Sequence, residues 1–237
     1  MTTPSNNTPI SIIQDAYLDS GLIGVGQPVN SEQIVMGMRR LTDMINLWQT
    51  QGLKLWLNVD TPITLVAGTG TYKLGPAQAV DMTRPLRVVN AWFADANGIR
   101  RPLIPLAWAD YVRLSIVTQT GQINSYFVDK QATYLSVFFW LVPDATAATG
   151  TAHLQLQRQV VNFSSVTEDM DFPIEWKLAL RWGLADELAG GQPQSIMDRC
   201  QQRAMAYRTT LEDWDVEDAP TRFTPDRQGS FSPFGRR

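Results

Sequence analysis

The stretch FPIEWKLALRWGLADELA, residues 172–189, is apolar around most of a helix. Two faces at helical spacing carry its apolar side chains: Ile174, Leu178, Trp182, Ala185 and Ala189 on one, and Trp176, Leu180, Leu184 and Leu188 on the other. The pattern predicts a helix that begins after a cap at Asp171 and is buried on most sides.

Three further helices are predicted on either side of this stretch. The first covers residues 10–20 and stops at Gly21, and the second starts at Asn30 or Ser31 and stops at Gly52. The second carries one apolar seam: Ile34, Met38, Leu41, Ile45 and Trp48. The last runs over residues 195–213, with an inward stripe of Ile196, Cys200, Ala204, Tyr207 and Leu211.

Between the helix pairs the hydrophobic period changes to two, which predicts short antiparallel strands. Residues 63–66 and 71–74 flank the turn at residues 67–70 as one hairpin, and residues 86–94 and 100–104 flank Asn97-Gly98 as another. Residues 123–128 pair with residues 133–142, residues 108–114 form a short helix, and the last strand lies at residues 154–160. Such a block is typical of a small sandwich or barrel.

The order of elements predicts an α+β fold in three parts. Residues 1–53 and 172–213 form a four-helix bundle from the N-terminal and C-terminal helix pairs, because a two-helix hairpin cannot bury its seam alone. Residues 54–171 form an inserted antiparallel β-sandwich or barrel domain. Residues 214–237 form an extended C-terminal arm, rich in proline and without periodicity.

Composition excludes several classes of protein. One cysteine and one histidine exclude a disulfide framework and any site built on several histidines. The N-terminus shows no secretory signal, so we expect synthesis in the cytoplasm, and no apolar run is long enough to span a membrane. A net charge of -3 argues against a protein that binds nucleic acid by neutralising phosphates.

Few residues are candidates for catalysis. His153 is the only histidine and lies in a predicted strand, and Cys200 lies on the apolar stripe of a helix, so both are assigned to structure. A pair of carboxylates could hydrolyse a glycosidic bond, which leaves a virion-associated cell-wall glycosidase as an alternative. Its candidate residues are Glu168, Asp169, Asp171 and Glu175, although acidic residues before a helix are commonly caps.

Two features favour contacts with other proteins. The strand at residues 134–142 is apolar on both faces, so something covers its second face: either the rest of its own domain or another subunit, through Phe138, Phe139 and Trp140. The C-terminal arm carries spaced aromatic residues, Trp214, Phe223, Phe231 and Phe234, and is either a docking arm or an unused extension.

The order of these motifs resembles the head-to-tail adaptor family of short-tailed bacteriophages, also called tail accessory factors or tail tubular proteins. The segments that carry the resemblance are RRLTDMINLW (residues 39–48) with QGL (51–53), TPITLVAGTGTYKLGP (61–76), RPLRVVNAWF (84–93), WLVPDA (140–145) and the helix at residues 172–189. The resemblance covers residues 10–211.

The resemblance implies a structural protein of the virion with no catalytic residue, metal or cofactor. It implies a ring of commonly twelve copies beneath the portal protein, in contact with the tail nozzle or fibres, through which genomic DNA passes without sequence-specific binding. The C-terminal arm then docks on the portal. Another alternative is a glycan-binding tail module, with Trp92 and Trp108 as stacking platforms.

Overall fold

The computed structural model describes residues 8–51, 55–161, 163 and 165–215. Within these residues the chain forms five α-helices: α1 (Pro9–Asp19), α2 (Ser31–Trp48), α3 (Trp108–Val112), α4 (Lys177–Leu188) and α5 (Gln194–Trp214). It also forms eleven strands: β1 (Asn58–Thr64), β2 (Thr71–Gly75), β3 (Val80–Asp81), β4 (Arg87–Ala94), β5 (Arg100–Pro102), β6 (Ile104–Leu106), β7 (Thr120–Gly121), β8 (Ser125–Lys130), β9 (Leu135–Trp140), β10 (Val142–Pro143) and β11 (Thr151–Gln157). None of the described helices has both the length and the apolar character needed to cross a bilayer.

Helix α4 lies at the centre of the helical part. Seven of its twelve residues are buried, and α1, α2 and α5 each pack against it. The predicted four-helix bundle was therefore wrong: the chain is a mixture of helices and mostly antiparallel sheets, which is compatible with the α+β class. In a bundle each helix buries one stripe and leaves its opposite face in water. Because α4 carries apolar side chains on two faces, burying them requires neighbours on both sides, and α1, α2 and α5 supply those neighbours.

The predicted seam of α2 is buried only toward its C-terminal end. Leu41, Ile45 and Trp48 are buried in the helical core, whereas Ile34 and Met38, nearer the start of the helix, are half-buried. Val35 and Met36, which lie outside this seam, are exposed. Helix α2 has 18 residues and α4 has 12, so the two cannot cover each other along their full lengths. On the N-terminal half of α2, Val35 and Met36 leave an exposed apolar surface.

Local signals placed two of the helix boundaries correctly. The Asn30 side chain accepts a hydrogen bond from the backbone N–H of Gln33 at 2.8 Å, and the Gln33 side chain accepts one from the backbone N–H of Asn30 at 2.9 Å. This reciprocal pair confirms the predicted cap of α2. Gly21 has a φ of 73°, which confirms the left-handed residue that was predicted to end the first helix.

The predicted start of α4 was wrong. A short 3-10 turn, Ile174–Trp176, precedes α4, and Asp171 does not cap either element. The Asp171 carboxylate instead accepts two hydrogen bonds from the guanidinium of Arg158 and one from the backbone N–H of Val161. A guanidinium that binds both carboxylate oxygens is a stronger partner than a backbone amide.

The strands form two larger sheets around one hydrophobic core. The first sheet has the order β1-β11-β4-β5, and the second has the order β3-β2-β9-β8-β6, while β10 and β7 form a separate two-stranded sheet. Buried side chains from both larger sheets share one cluster, among them Ile63, Phe93, Leu154, Tyr72, Val137 and Phe139. The predicted pairs β4–β5 and β8–β9 are confirmed as antiparallel neighbours.

The turn at residues 67–70 connects the two sheets. Strand β1 pairs with β11 and strand β2 pairs with β9, so the hairpin predicted around this turn was wrong. The backbone N–H of Gly68 donates to the carbonyl of Pro143, and the Gly70 carbonyl accepts from the N–H of Phe139, both at 2.8 Å. These bonds tie the turn to the β9–β10 region, which carries the chain across the core instead of back along β1.

A junction of aromatic rings lies in the helical core beside the segment that leads into β1. Trp56 packs on Phe172 with ring centroids 5.0 Å apart, and Trp176 lies 6.5 Å from both Phe172 and Trp48. The nearly buried side chain of Gln49 accepts a hydrogen bond from the backbone N–H of Val160 at 3.0 Å. The predicted domain boundaries stay a prediction, and residues 216–237, with Phe223, Phe231 and Phe234, lie outside the described residues.

Candidate interaction surfaces

The second apolar face of β9 is covered from within the chain. Phe139 points into the core between the sheets, whereas Phe138 contacts Tyr111 of α3 with ring centroids 5.7 Å apart. The Trp140 indole N–H donates to the carbonyl of Ile116 at 3.2 Å. The α3 segment therefore accounts for this apolar face, and a subunit contact through Phe138, Phe139 and Trp140 stays a prediction.

The α3 segment presents an apolar surface of its own to solvent. Tyr111 anchors the segment by stacking on Phe127, with ring centroids 5.0 Å apart and planes 21° apart. Trp108, on the next part of the helix surface, is 65% exposed. We call the exposed apolar group at this end of the second sheet the α3 patch: Ile104, Trp108, Val112, Ile116 and Val117. Apolar residues that stay exposed in the single chain are available to be covered by another protein in an assembly.

A second exposed surface is an open groove formed by α1, the turn that follows it, α4 and α5. Apolar side chains of Leu18, Val25 and Leu178 line it, together with the arginines Arg199 and Arg203. Val25 is 92% exposed, although it is an aliphatic residue on a structured turn. We call this feature the arginine groove.

The arginines of this groove differ in their partners. Arg181 pairs with the carboxylates of Asp15 and Asp19, and its hydrogen bond to Asp19 raises its pKa above the ordinary value. Arg199 donates to the backbone carbonyl of Asp19 at 2.7 Å, and Arg203 lies over the ring of Trp182, 4.6 Å from its centroid. Neither Arg199 nor Arg203 forms an ion pair with a carboxylate within the part of the chain that the structure describes.

Trp214, the first residue of the predicted C-terminal arm, belongs to the last turn of α5. Its side chain is 62% exposed, and the neighbouring Asp213 is exposed as well. Glu212, on the same turn, pairs with Arg208 at 2.9 Å. The end of α5 therefore carries an exposed aromatic ring beside negative charge.

The candidate carboxylates of a glycosidase are in unlike environments. Asp171 is held by Arg158, while Glu168, Asp169 and Glu175 are exposed. Burial raises the pKa of Asp171, but the hydrogen bonds from Arg158 and from the N–H of Val161 outweigh burial and leave this pKa below its ordinary value. A general acid for glycoside hydrolysis needs a raised pKa, so this environment disfavours Asp171 in that role.

Replacing Asp171 with asparagine should lower the free energy of unfolding at pH 7 by about 1–3 kcal/mol, the cost of a lost hydrogen-bonded charge pair in a half-buried place. The pKa of Asp171 is lower in the folded chain than its ordinary value of 3.8. The contribution of ionised Asp171 to the free energy of unfolding is therefore complete above pH 3.8 and is lost as the pH falls through the pKa of the folded chain. Urea unfolding at a series of pH values should show a weaker acid dependence for Asp171→Asn than for the native chain.

The exposed Glu175 provides the matched control for this measurement. Glu175→Gln removes a carboxylate from the same segment and should leave both the stability and its acid dependence close to those of the native chain. Equal acid dependence of Asp171→Asn and the native chain would show that the Arg158 pair contributes nothing to stability.

His153 belongs to a row of side chains across the outer face of the first sheet. Its Nδ1 atom lies 3.0 Å from the carboxylate of Asp60, and its ring stacks on Trp92 with centroids 5.1 Å apart and planes 7° apart. Arg100 lies over the same indole at 5.5 Å. The Trp92 indole is therefore already in contact with one imidazole ring and one guanidinium group. Trp108, the other residue predicted as a stacking platform, keeps most of its surface in solvent.

Neither Cys200 nor the metal-binding residue types of the described part of the chain form a reactive site. Cys200 is fully buried on α5, and burial raises the pKa of its thiol, which disfavours the nucleophilic thiolate. Among the described residues, no group of three or more His, Cys, Asp and Glu side chains is placed to hold a metal ion.

The structure brings some sequence candidates together and separates others. Phe138, Phe139 and Trp140 share one strand, but their side chains alternate between the core and the α3 segment. Trp214 lies apart from them, at the end of α5. The arginine groove was missed because three separate segments form it; its one sequence signal is the spacing of four between Arg199 and Arg203 on a helix.

No protein-family model matches the chain, and no curated protein matches it at a significant level.

Proposed function

We propose that this chain is a non-enzymatic head-to-tail adaptor of a short-tailed bacteriophage, made in the host cytoplasm and built into the neck of the virion. Copies of the chain form a ring, commonly of twelve, beneath the portal protein. The ring closes the DNA-filled capsid, connects it to the tail nozzle or tail fibres, and forms part of the channel through which DNA is ejected. No membrane takes part.

The α3 patch is the observation that carries this proposal. Ile104, Trp108, Val112, Ile116 and Val117 remain exposed in the single chain, although Tyr111 of the same segment stacks on Phe127. A monomer gains nothing from an apolar cluster in water, whereas a subunit of an assembly buries it against a neighbour. The order of motifs along the chain, which resembles the adaptor family, supports a ring beneath the portal as the form of this assembly.

The electrostatics of the chain suit a conduit for DNA. The net charge is -3, and charged residues make up 18% of the sequence. A basic lumen would hold DNA through its phosphates and slow its passage, since each phosphate contact adds to a salt-dependent affinity. A nearly neutral protein lets the DNA pass without sequence-specific binding.

The test is attachment to portal rings of the same phage by a chain that ends at Asp215. This chain keeps every described element and lacks Phe223, Phe231 and Phe234. Attachment in co-sedimentation should fall by at least about tenfold, since a single buried aromatic side chain contributes about 1.5–3 kcal/mol. Circular dichroism should show that the shortened chain is folded.

A full-length variant separates the aromatic anchors from the mere length of the arm. Phe223→Ser, Phe231→Ser and Phe234→Ser, combined in one chain, should reduce attachment as much as the shortened chain does. Electron microscopy of the native chain with portal should show rings beneath it. Full attachment of both variants would rule out the docking arm, and portal without bound rings would rule out the proposed adaptor function.

A further inference from the structure

The arginine groove combines exposed aliphatic side chains with positively charged side chains. Leu18, Val25 and Leu178 supply exposed aliphatic surface, and Arg199 and Arg203 stand beside it on α5. Arg181 is neutralised by Asp15 and Asp19, but the two α5 arginines have no carboxylate partner within the described residues. The groove is therefore suited to an occupant that is both apolar and negatively charged.

The end of α5 has these two properties. Trp214 is a large ring that is 62% exposed, and the exposed Asp213 adjoins it. Glu212 on the same turn adds a second carboxylate, although Arg208 partly offsets its charge. The exposed ring is complementary to the aliphatic side chains of the groove, and the acidic neighbours are complementary to the positive charge of its arginines.

Within one chain, the arginines of the groove cannot meet the Trp214 end. Arg203 and Trp214 belong to the same helix, and at a rise of about 1.5 Å per residue their Cα atoms are about 16 Å apart along its axis. A tryptophan side chain cannot span that distance, and the helix holds the two features apart. Contact between them requires a second copy of the chain.

We propose that the arginine groove of one copy receives the Trp214 end of α5 from a second copy. The Trp214 ring packs on Leu18 and Val25, and Asp213 faces Arg199 and Arg203. A contact between two different surfaces of the same protein repeats from copy to copy and builds a ring or a filament. The ring form of this contact rests on the proposed function, and it adds a second pair of surfaces, beside the α3 patch, through which neighbouring subunits meet.

The experiment places a photoreactive side chain in the groove and identifies what it reaches. Val25→benzoylphenylalanine is introduced into the full chain, where the exposed turn tolerates a large side chain. This copy is mixed with native chain labelled with nitrogen-15, irradiated and analysed by mass spectrometry. An adduct that joins labelled to unlabelled chain is intermolecular, and irradiation traps it covalently even when the contact is weak.

The expected adduct joins position 25 of one copy to residues 210–215 of the other. Val66, another exposed aliphatic residue, supplies the control as Val66→benzoylphenylalanine. The adduct from position 25 should exceed that from position 66 about tenfold, the ratio that corresponds to about 1.4 kcal/mol. Asp213→Lys with Trp214→Ala in the labelled copy should reduce it to the control level.

Three results would overturn the contact. They are adducts from position 25 no more abundant than those from position 66, adducts to residues 216–237 of the same chain, and an adduct that Asp213→Lys with Trp214→Ala leaves unchanged. When every copy carries Val25→benzoylphenylalanine, products larger than dimers support the repeating arrangement. Products that stop at dimers would keep the contact and contradict the ring of the proposed function. Loss of portal attachment is measured with the chain that ends at Asp215, which retains Trp214, so the two proposals fail separately.

Discussion

Replacing Trp176 with alanine should lower the free energy of unfolding by about 3–5 kcal/mol, the range for a fully buried aromatic side chain. Trp176 is 1% exposed, and its ring lies 6.5 Å from the rings of Trp48 and Phe172. The residue lies in the helical core where Leu57 and Val160 join it, beside a small apolar cavity. The substitution would enlarge a void that these rigid rings cannot close.

Urea unfolding followed by circular dichroism measures this loss, and Trp108→Ala is the control. Trp108 is 65% exposed and touches Phe127 with ring centroids 5.4 Å apart. Its removal should change the free energy of unfolding by less than about 1 kcal/mol, because little apolar surface returns to water. Equal losses of unfolding free energy for the two tryptophans would contradict the claim that the aromatic junction around Trp176 stabilises the fold.

Replacing Gly183 with alanine should destabilise the chain by about 1–3 kcal/mol, even though alanine is the better helix former by about 1 kcal/mol. A Cβ atom at Gly183 would lie 2.8 Å from the sulfur of Met44 and 2.8 Å from ring atoms of Trp48. These distances are shorter than any normal carbon contact. Helix α4 can approach α2 as closely as it does because residue 183 has no side chain.

Gly190→Ala is the matched control for this close approach. A Cβ atom at Gly190 meets no other atom within 4 Å, and its backbone does not need the left-handed region. The substitution should leave the free energy of unfolding unchanged or raise it by up to about 1 kcal/mol, because alanine restricts the unfolded chain. If Gly183→Ala were as stable as Gly190→Ala in urea unfolding, the tight packing of α4 on α2 would be wrong.

The candidate surfaces could be predicted from the sequence only where one segment forms them. The strand that is apolar on both faces, predicted at residues 134–142, and the aromatic Trp214, predicted as part of the arm, were visible as patterns along the chain. The α3 patch was not, because a short helix with Trp108 and Val112 on one side gives the same pattern whether that side is buried or wet. The arginine groove needed α1, α4 and α5 in place before its residues became neighbours.

The local sequence determined the features whose hydrogen bonds span a few residues. It narrowed the cap of α2 to Asn30 or Ser31 and predicted the left-handed Gly21 and the β4–β5 hairpin around Asn97-Gly98, because those interactions depend on a few neighbouring residues. It also showed that residues 172–189 carry more apolar surface than one partner covers.

Only the tertiary structure decided which surfaces cover one another. Packing surrounds α4 with α1, α2 and α5 instead of forming a four-helix bundle. The turn at residues 67–70 connects the two sheets. The Asp171 carboxylate binds Arg158 and does not cap a helix. The physical reason is that apolar contact has no direction: periodicity says that a face must be buried, and only the competition among all faces for close packing selects its partner.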